Sequence, residues 1–104
     1  MSHETIWMCL TEIKKNIIYA NMSYNDHLQN ISTAAIRGQD SIDKFTDISN
    51  CLHTEFGTTY NNQTIECAGY NNYTDVNSTL SYRDCVQDLY TQVLYDQGLG
   101  LVNA

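Results

Sequence analysis

Hydrophobic residues recur at helical spacing through the first third of the chain. They are separated by steps of three and four residues, and at 100° per residue they fall within about an 80° arc. This pattern predicts one long amphipathic helix over about residues 4–37, with Gly38 as its stop signal. Polar residues near 21–23 allow a bend within that helix. The hydrophobic positions, called the seam below, are Ile6, Leu10, Ile13, Ile17, Ala20, Tyr24, Leu28, Ile31 and Ala35.

Two shorter helices are predicted further along the chain. The first covers about residues 41–53 and ends before Gly57, and the second covers about residues 81–96 and ends before Gly98. Residues 57–80 are rich in Tyr, Asn and Thr, a composition typical of turns, and are predicted to form a loop.

The length of the chain limits it to one domain. A chain of 104 residues can bury a modest core but cannot form two. We therefore predict a single all-α domain over residues 1–104. Its architecture is a small disulfide-stapled helical bundle with one long N-terminal helix, two shorter helices and a Tyr/Asn/Thr-rich loop.

The four cysteines are widely spaced, and none belongs to a CxxC pair. This spacing disfavours a zinc site or a redox motif and favours two disulfides. Three pairings are open on sequence grounds, and the entropy of loop closure favours the shortest ring. The preferred pairing joins Cys51 to Cys67 and Cys9 to Cys85.

Asn-x-Ser/Thr sequons are more frequent than chance predicts. The chain has 11 Asn and 18 Ser or Thr residues, which would give roughly two sequons, and it contains five. The three in the predicted loop are the favoured glycosylation sites, whereas those on the first helix lie on its polar side or at the edge of the seam. The five acceptors are Asn62, Asn72, Asn77, Asn30 and Asn21.

Cysteines and sequons together indicate an oxidising compartment, so the protein is predicted to be secreted and extracellular. The N-terminus has neither the basic nor the apolar region of a signal peptide, so the sequence is interpreted as a mature form. No apolar run approaches the length of a membrane span.

The charge and the polar residues exclude several function classes. A net charge of −7 disfavours nucleic acid and anionic membranes as partners. No catalytic or phosphate-binding motif is present, and the three histidines are scattered. Asp40, Asp43 and Asp47 are interpreted as a hydrated acidic face rather than a metal site. We therefore predict neither an enzyme nor a bound metal or cofactor.

Aromatic residues are the remaining signal for function. Eight tyrosines and one tryptophan favour an interface or the rim of a cavity, with completion of a small core as the alternative. The predicted role is an extracellular binding or recognition module for a protein partner or a small apolar ligand. The alternative is a self-assembling structural protein of an extracellular fibre, coat or secretion. The candidate interface residues are Trp7, Ile18, Tyr60, Tyr70 and Tyr73.

Overall fold

The computed structural model describes residues 3–26, 29, 31–70 and 76–98. Within these ranges the chain forms helices and turns and no strand, which confirms the predicted all-α class with two disulfides. The helices are α1 (His3–Asp26), α2 (Ile31–Phe56), α3 (Asn61–Ala68) and α4 (Val76–Asp96).

The prediction of one helix over residues 4–37 is wrong, because the chain turns back after Asp26. The backbone N–H of Gln29 donates to the carbonyl of Asp26 at 2.9 Å, and α2 begins at Ile31. Gly38 does not stop the helix and lies inside α2. A straight helix of that length would leave its seam without a partner, whereas the hairpin packs one apolar face against another.

Contacts at both ends show that α1 and α2 are antiparallel. Near the turn, Nη1 of Arg37 lies 2.5 Å from Oδ2 of Asp26. Near the start of α1, Cys9 is disulfide-bonded to Cys51 close to the end of α2. The predicted second helix, over 41–53, is therefore the C-terminal part of a longer helix.

Helix α4 packs against α1 and runs parallel to α2. The hydroxyl of Tyr82, in the first half of α4, lies 3.4 Å from the carbonyl oxygen of Ser41, in the first half of α2. Beyond the end of α2, the hydroxyl of Tyr60 donates to Oδ2 of Asp96 at 3.0 Å. The helix begins at Val76, so it takes in the last residues of the segment predicted as a loop.

Helix α3 also lies within residues 57–80, so the prediction of a loop is wrong for this part of the segment as well. Its sequence is rich in polar residues, and no side chain caps its first turn. It is held instead by burial of Thr64 and Cys67 and by the disulfide from Cys67 to Cys85 on α4. Tertiary contacts thus override a weak intrinsic propensity.

The core lies between α1, α2 and α4, with α3 covering one end. Two predicted helix stops are confirmed: Gly57 and Gly98 adopt positive φ angles of 65° and 73° just beyond α2 and α4. Fully buried aliphatic side chains come from all three long helices, and each contributes about 1.5–3 kcal/mol through burial. They include Leu10, Ile13, Ile48, Val86, Leu89 and Val93.

None of the helices in the described ranges combines the length and the apolar character that crossing a membrane requires.

Candidate interaction surface

The outward side of α1 carries a row of exposed hydrophobic side chains. Trp7 is 43% exposed, Met8 63% and Ile18 51%, and Met22 is exposed as well. At helical spacing they occupy an arc of about 100° on the opposite side from the seam. The α1 face is defined here as Trp7, Met8, Thr11, Lys14, Lys15, Ile18 and Met22.

The α1 face is exposed because α2 and α4 pack on the other side of the helix. From Trp7 to Met22 it is roughly 22 Å long at 1.5 Å per residue. Single exposed apolar residues are ordinary on a protein surface, but a contiguous row of large ones is typical of an interaction site. The arrangement can bury apolar area against a partner.

A cleft of about 390 Å³ lies at the N-terminal end of the α1 face. The Cys9–Cys51 disulfide holds α2 beside α1 here, so Cys51 forms one wall of the cleft. The other lining residues are Trp7, Met8, Thr11 and Glu12. Its volume lies within the range of small-molecule sites.

Two lysines make the α1 face positive in an otherwise acidic protein. Lys14 forms no ion pair with any residue that the structure describes. Lys15 pairs with Glu12 at 3.3 Å, but both side chains are exposed, so the pair is weak and easily exchanged. The lysines can therefore contact an acidic partner.

A groove of opposite charge separates α3 from α4. It encloses about 360 Å³ beside the Cys67–Cys85 disulfide, and three carboxylates line it. The side-chain oxygen of Gln63 is buried there and accepts no hydrogen bond from the described residues. The acidic groove is defined here as Gln63, Glu66, Tyr70, Ser81, Asp84 and Asp88.

The predicted disulfide pairing, Cys51 with Cys67 and Cys9 with Cys85, is wrong. Cys9 pairs with Cys51 and Cys67 pairs with Cys85, with Cα–Cα distances of 5.7 and 5.4 Å. The loop-closure argument considered only the unfolded chain. In the folded chain, the α1–α2 hairpin and the packing of α3 on α4 determine which cysteines meet.

Tyr60 is not an interface residue, which corrects the prediction. It is 2% exposed and packs edge-to-face on Phe56, with ring centroids 5.3 Å apart. Burial raises the pKa of its phenol, and the neighbouring Asp96 carboxylate acts in the same direction. Tyr70 is exposed in the acidic groove, while Tyr73 lies outside the described residues.

Three of the five predicted sequons lie in described parts of the chain. Asn21, Asn62 and Asn77 are exposed on α1, α3 and α4. The side-chain oxygen of Asn21 accepts a hydrogen bond from Nη1 of Arg83 at 3.0 Å. An N-linked glycan is attached through the amide nitrogen, so this bond is compatible with glycosylation. Asn30 and Asn72 lie outside the described residues.

The sequence predicted Trp7 and Ile18 on this surface but not the charges around them. A second stripe at 7, 11, 14, 18 and 22, on the far side of the helix from the seam, could have identified Lys14 and Met22. The acidic groove had no such signal, because it depends on α3, which was predicted as loop.

Over the described ranges, no three or more His, Cys, Asp or Glu side chains form a group that could hold a metal ion. His53 lies near Cys51, but that cysteine is in a disulfide and is not a nucleophile. Comparisons with protein-family models, curated proteins and solved structures give no match.

Proposed function

We propose that this protein is a secreted, glycosylated binding module without enzymatic activity, and that it binds a protein partner through the α1 face. The observation that carries the proposal is the row of exposed Trp7, Met8, Ile18 and Met22 on one side of one helix. Tryptophan and methionine are enriched in protein interfaces, and a central tryptophan often supplies much of the binding energy.

The covalent features support an extracellular location. Both disulfides close within the domain, and the described part of the chain has no unpaired cysteine. Exposed sequons at Asn21, Asn62 and Asn77 can carry glycans without displacing buried side chains. Disulfides persist in oxidising compartments, where N-linked glycans are also added.

A small apolar ligand is the second candidate, because the cleft beside Trp7 has the volume of a small-molecule site. The two candidates differ in how much of the α1 face they use. A small ligand contacts Trp7 and Met8 in the cleft, whereas a protein partner also reaches Ile18 and Met22, about three to four turns away.

The first experiment is mass spectrometry of protein secreted from eukaryotic cells, with and without reduction. We expect the unreduced mass to show two disulfides and added glycan. Four free thiols and no glycan would remove the basis for secretion.

The second experiment places a photoreactive phenylalanine analogue at Thr11, within the α1 face, or at Thr46, an exposed position on α2. In the fluid into which the protein is secreted, we expect crosslinking to a partner protein from position 11 but not from position 46. Equal crosslinking from both positions would contradict the proposal.

Truncation of the apolar face provides the energetic test. Trp7→Ala with Met8→Ala should weaken partner binding about thirtyfold, since truncation of an aromatic anchor in an interface costs about 2 kcal/mol. Ile36→Ala removes an exposed apolar side chain from α2, outside the α1 face, and is the control. If the cleft holds a small ligand instead, Ile18→Ala will leave binding unchanged.

A further inference from the structure

The α1 face is positive at its centre. Lys14 and Lys15 lie between Trp7 at one end and Ile18 at the other, in a protein with a net charge of −7. Two copies of this face placed together would bring like charges into contact, which costs free energy. The charges therefore favour a partner with an acidic surface.

The acidic groove is such a surface and belongs to the same molecule. Glu66 and Asp88 form no ion pair with a described residue, and only Asp84 has a cation close by, Arg83 at 3.2 Å. Tyr95, an exposed aromatic residue, lies about two turns beyond Asp88 on the same side of α4.

We propose that the α1 face of one molecule docks into the acidic groove of a second copy. This inference rests on the proposed function and names the partner as the chain itself. Lys14 and Lys15 would face Asp84, Asp88 and Glu66, and the apolar side chains beside them would pack together.

The spacing along the two helices supports this pairing. Trp7 and Lys14 are seven residues apart on α1, and Asp88 and Tyr95 are seven residues apart on α4. Each pair spans about 10 Å along one side of its helix. With the helices antiparallel, Lys14 meets Asp88 where Trp7 meets Tyr95.

The two surfaces differ, so the contact is heterologous. Each molecule in such a pair still presents one free α1 face and one free acidic groove. Association then continues into a ring or an open filament and does not stop at a dimer. The α1–α1 and groove–groove arrangements of a symmetric dimer would both place like charges opposite each other.

A charge-neutralising pair of variants tests the contact by sedimentation velocity. Wild-type protein should form oligomers as its concentration rises to about millimolar. Asp84→Asn with Asp88→Asn changes the net charge from −7 to −5. Because this change weakens the overall repulsion between molecules, it would by itself promote association. We expect association about tenfold weaker instead. Tighter association in this variant would overturn the proposal.

Asp43→Asn with Asp47→Asn is the matched control, because it makes the same change in charge on exposed positions of α2. It should associate at least as well as the wild type. Circular dichroism should show that all variants keep their helices. Loss of association in this control as well would overturn the assignment to the groove.

Mixing variants tests the heterologous geometry. Lys14→Gln with Lys15→Gln should be as weak as the groove variant. A one-to-one mixture of the two should form dimers and stop there, because only one intact α1 face meets one intact groove. Oligomers larger than dimers in the mixture, or no dimers, would overturn the proposed arrangement.

The sequon at Asn62 lies one turn before Glu66 on α3, so its glycan would border the groove. Association is therefore measured for the secreted protein and for Asn62→Gln, which should associate more tightly. A monomer in both forms overturns this inference.

Failure of this inference can be distinguished from failure of the proposed function. The proposed function would still stand if position 11 crosslinks a different protein. It fails separately if Trp7→Ala with Met8→Ala leaves the binding of every partner unchanged.

Discussion

The hydroxyl of Tyr82 donates a hydrogen bond to the side-chain oxygen of Asn16, and both residues are buried in the core. This bond joins α4 to α1, and the ring of Phe45 from α2 packs edge-to-face on Tyr82 with centroids 5.8 Å apart. Tyr82 therefore contacts both other long helices, through a polar contact to α1 and an aromatic contact to α2. Removing only one partner of such a buried hydrogen bond lowers the stability of the fold, because the other partner remains buried without its hydrogen bond.

Tyr82→Phe should lower the free energy of unfolding by about 1–3 kcal/mol, because it leaves the Asn16 oxygen buried without this donor. Urea denaturation followed by circular dichroism measures the change. Asn16→Leu combined with Tyr82→Phe removes both partners, so it should cost less than the sum of the two single changes. Additive losses would show that the two side chains do not interact.

The disulfide pairing can be determined by peptide mapping without reduction. Cleavage after Lys, Arg and Glu separates all four cysteines into different peptides. We expect residues 5–12 linked to 45–55, and 67–83 linked to 84–104. A link between 45–55 and 67–83 would contradict the structure.

Removal of each disulfide should also have unequal effects. The Cys9–Cys51 link spans 42 residues and the Cys67–Cys85 link spans 18. From the entropy of loop closure, the Cys9–Cys51 disulfide should stabilise the fold by about 4 kcal/mol and the Cys67–Cys85 disulfide by about 3 kcal/mol. Replacement of both cysteines of a pair by Ala, followed by urea denaturation, should give losses in that order. Loss of Cys67–Cys85 should in addition abolish amide-exchange protection in α3, which has few other restraints.

The seam of α1 could be predicted because Ile6, Leu10 and Ile13 follow a period that only a helix satisfies. The turn after Asp26 could not, because the apolar pattern continues at the same spacing on both sides of it. In a helical hairpin both helices bury an apolar face, so periodicity alone does not distinguish a hairpin from one long helix. That choice depends on whether a partner covers the seam.

Helix α3 and the acidic groove illustrate a different limit. Five of the eight residues from Asn61 to Ala68 are Asn, Thr, Ile or Cys, which have modest helical propensity, and the helix is stabilised by its disulfide to α4. Trp7 and Ile18 could be predicted from the sequence as candidate interface residues. Glu66, Asp84 and Asp88 come together only through the tertiary fold, so no local pattern revealed them.

Glycan occupancy should follow the exposed sequons. In protein secreted from eukaryotic cells, Asn21→Gln and Asn62→Gln should each remove the mass of one glycan. Asn25→Gln and Asn61→Gln are matched controls, because these neighbouring asparagines are not in sequons. Intact mass spectrometry distinguishes the four variants. An unchanged glycan mass in both sequon variants would contradict glycosylation at these sites.

Tyr60 links the end of α2 to the end of α4, and its environment predicts sensitivity to alkaline pH. Burial raises the pKa of the Tyr60 phenol in the folded protein. As the pH rises past about 10, the unfolded chain therefore releases this proton before the folded chain does. The contribution of Tyr60 to stability is complete below that pH and is lost above it.

Tyr60→Phe should lower the free energy of unfolding by about 1 kcal/mol at neutral pH, since it removes the hydrogen bond to Asp96. Between about pH 9 and 11, the stability of the wild type should fall more steeply than that of Tyr60→Phe. Tyr95→Phe, which alters an exposed side chain, is the matched control. Urea denaturation across this range measures the slopes, and equal slopes for the wild type and Tyr60→Phe would show that burial does not perturb this phenol.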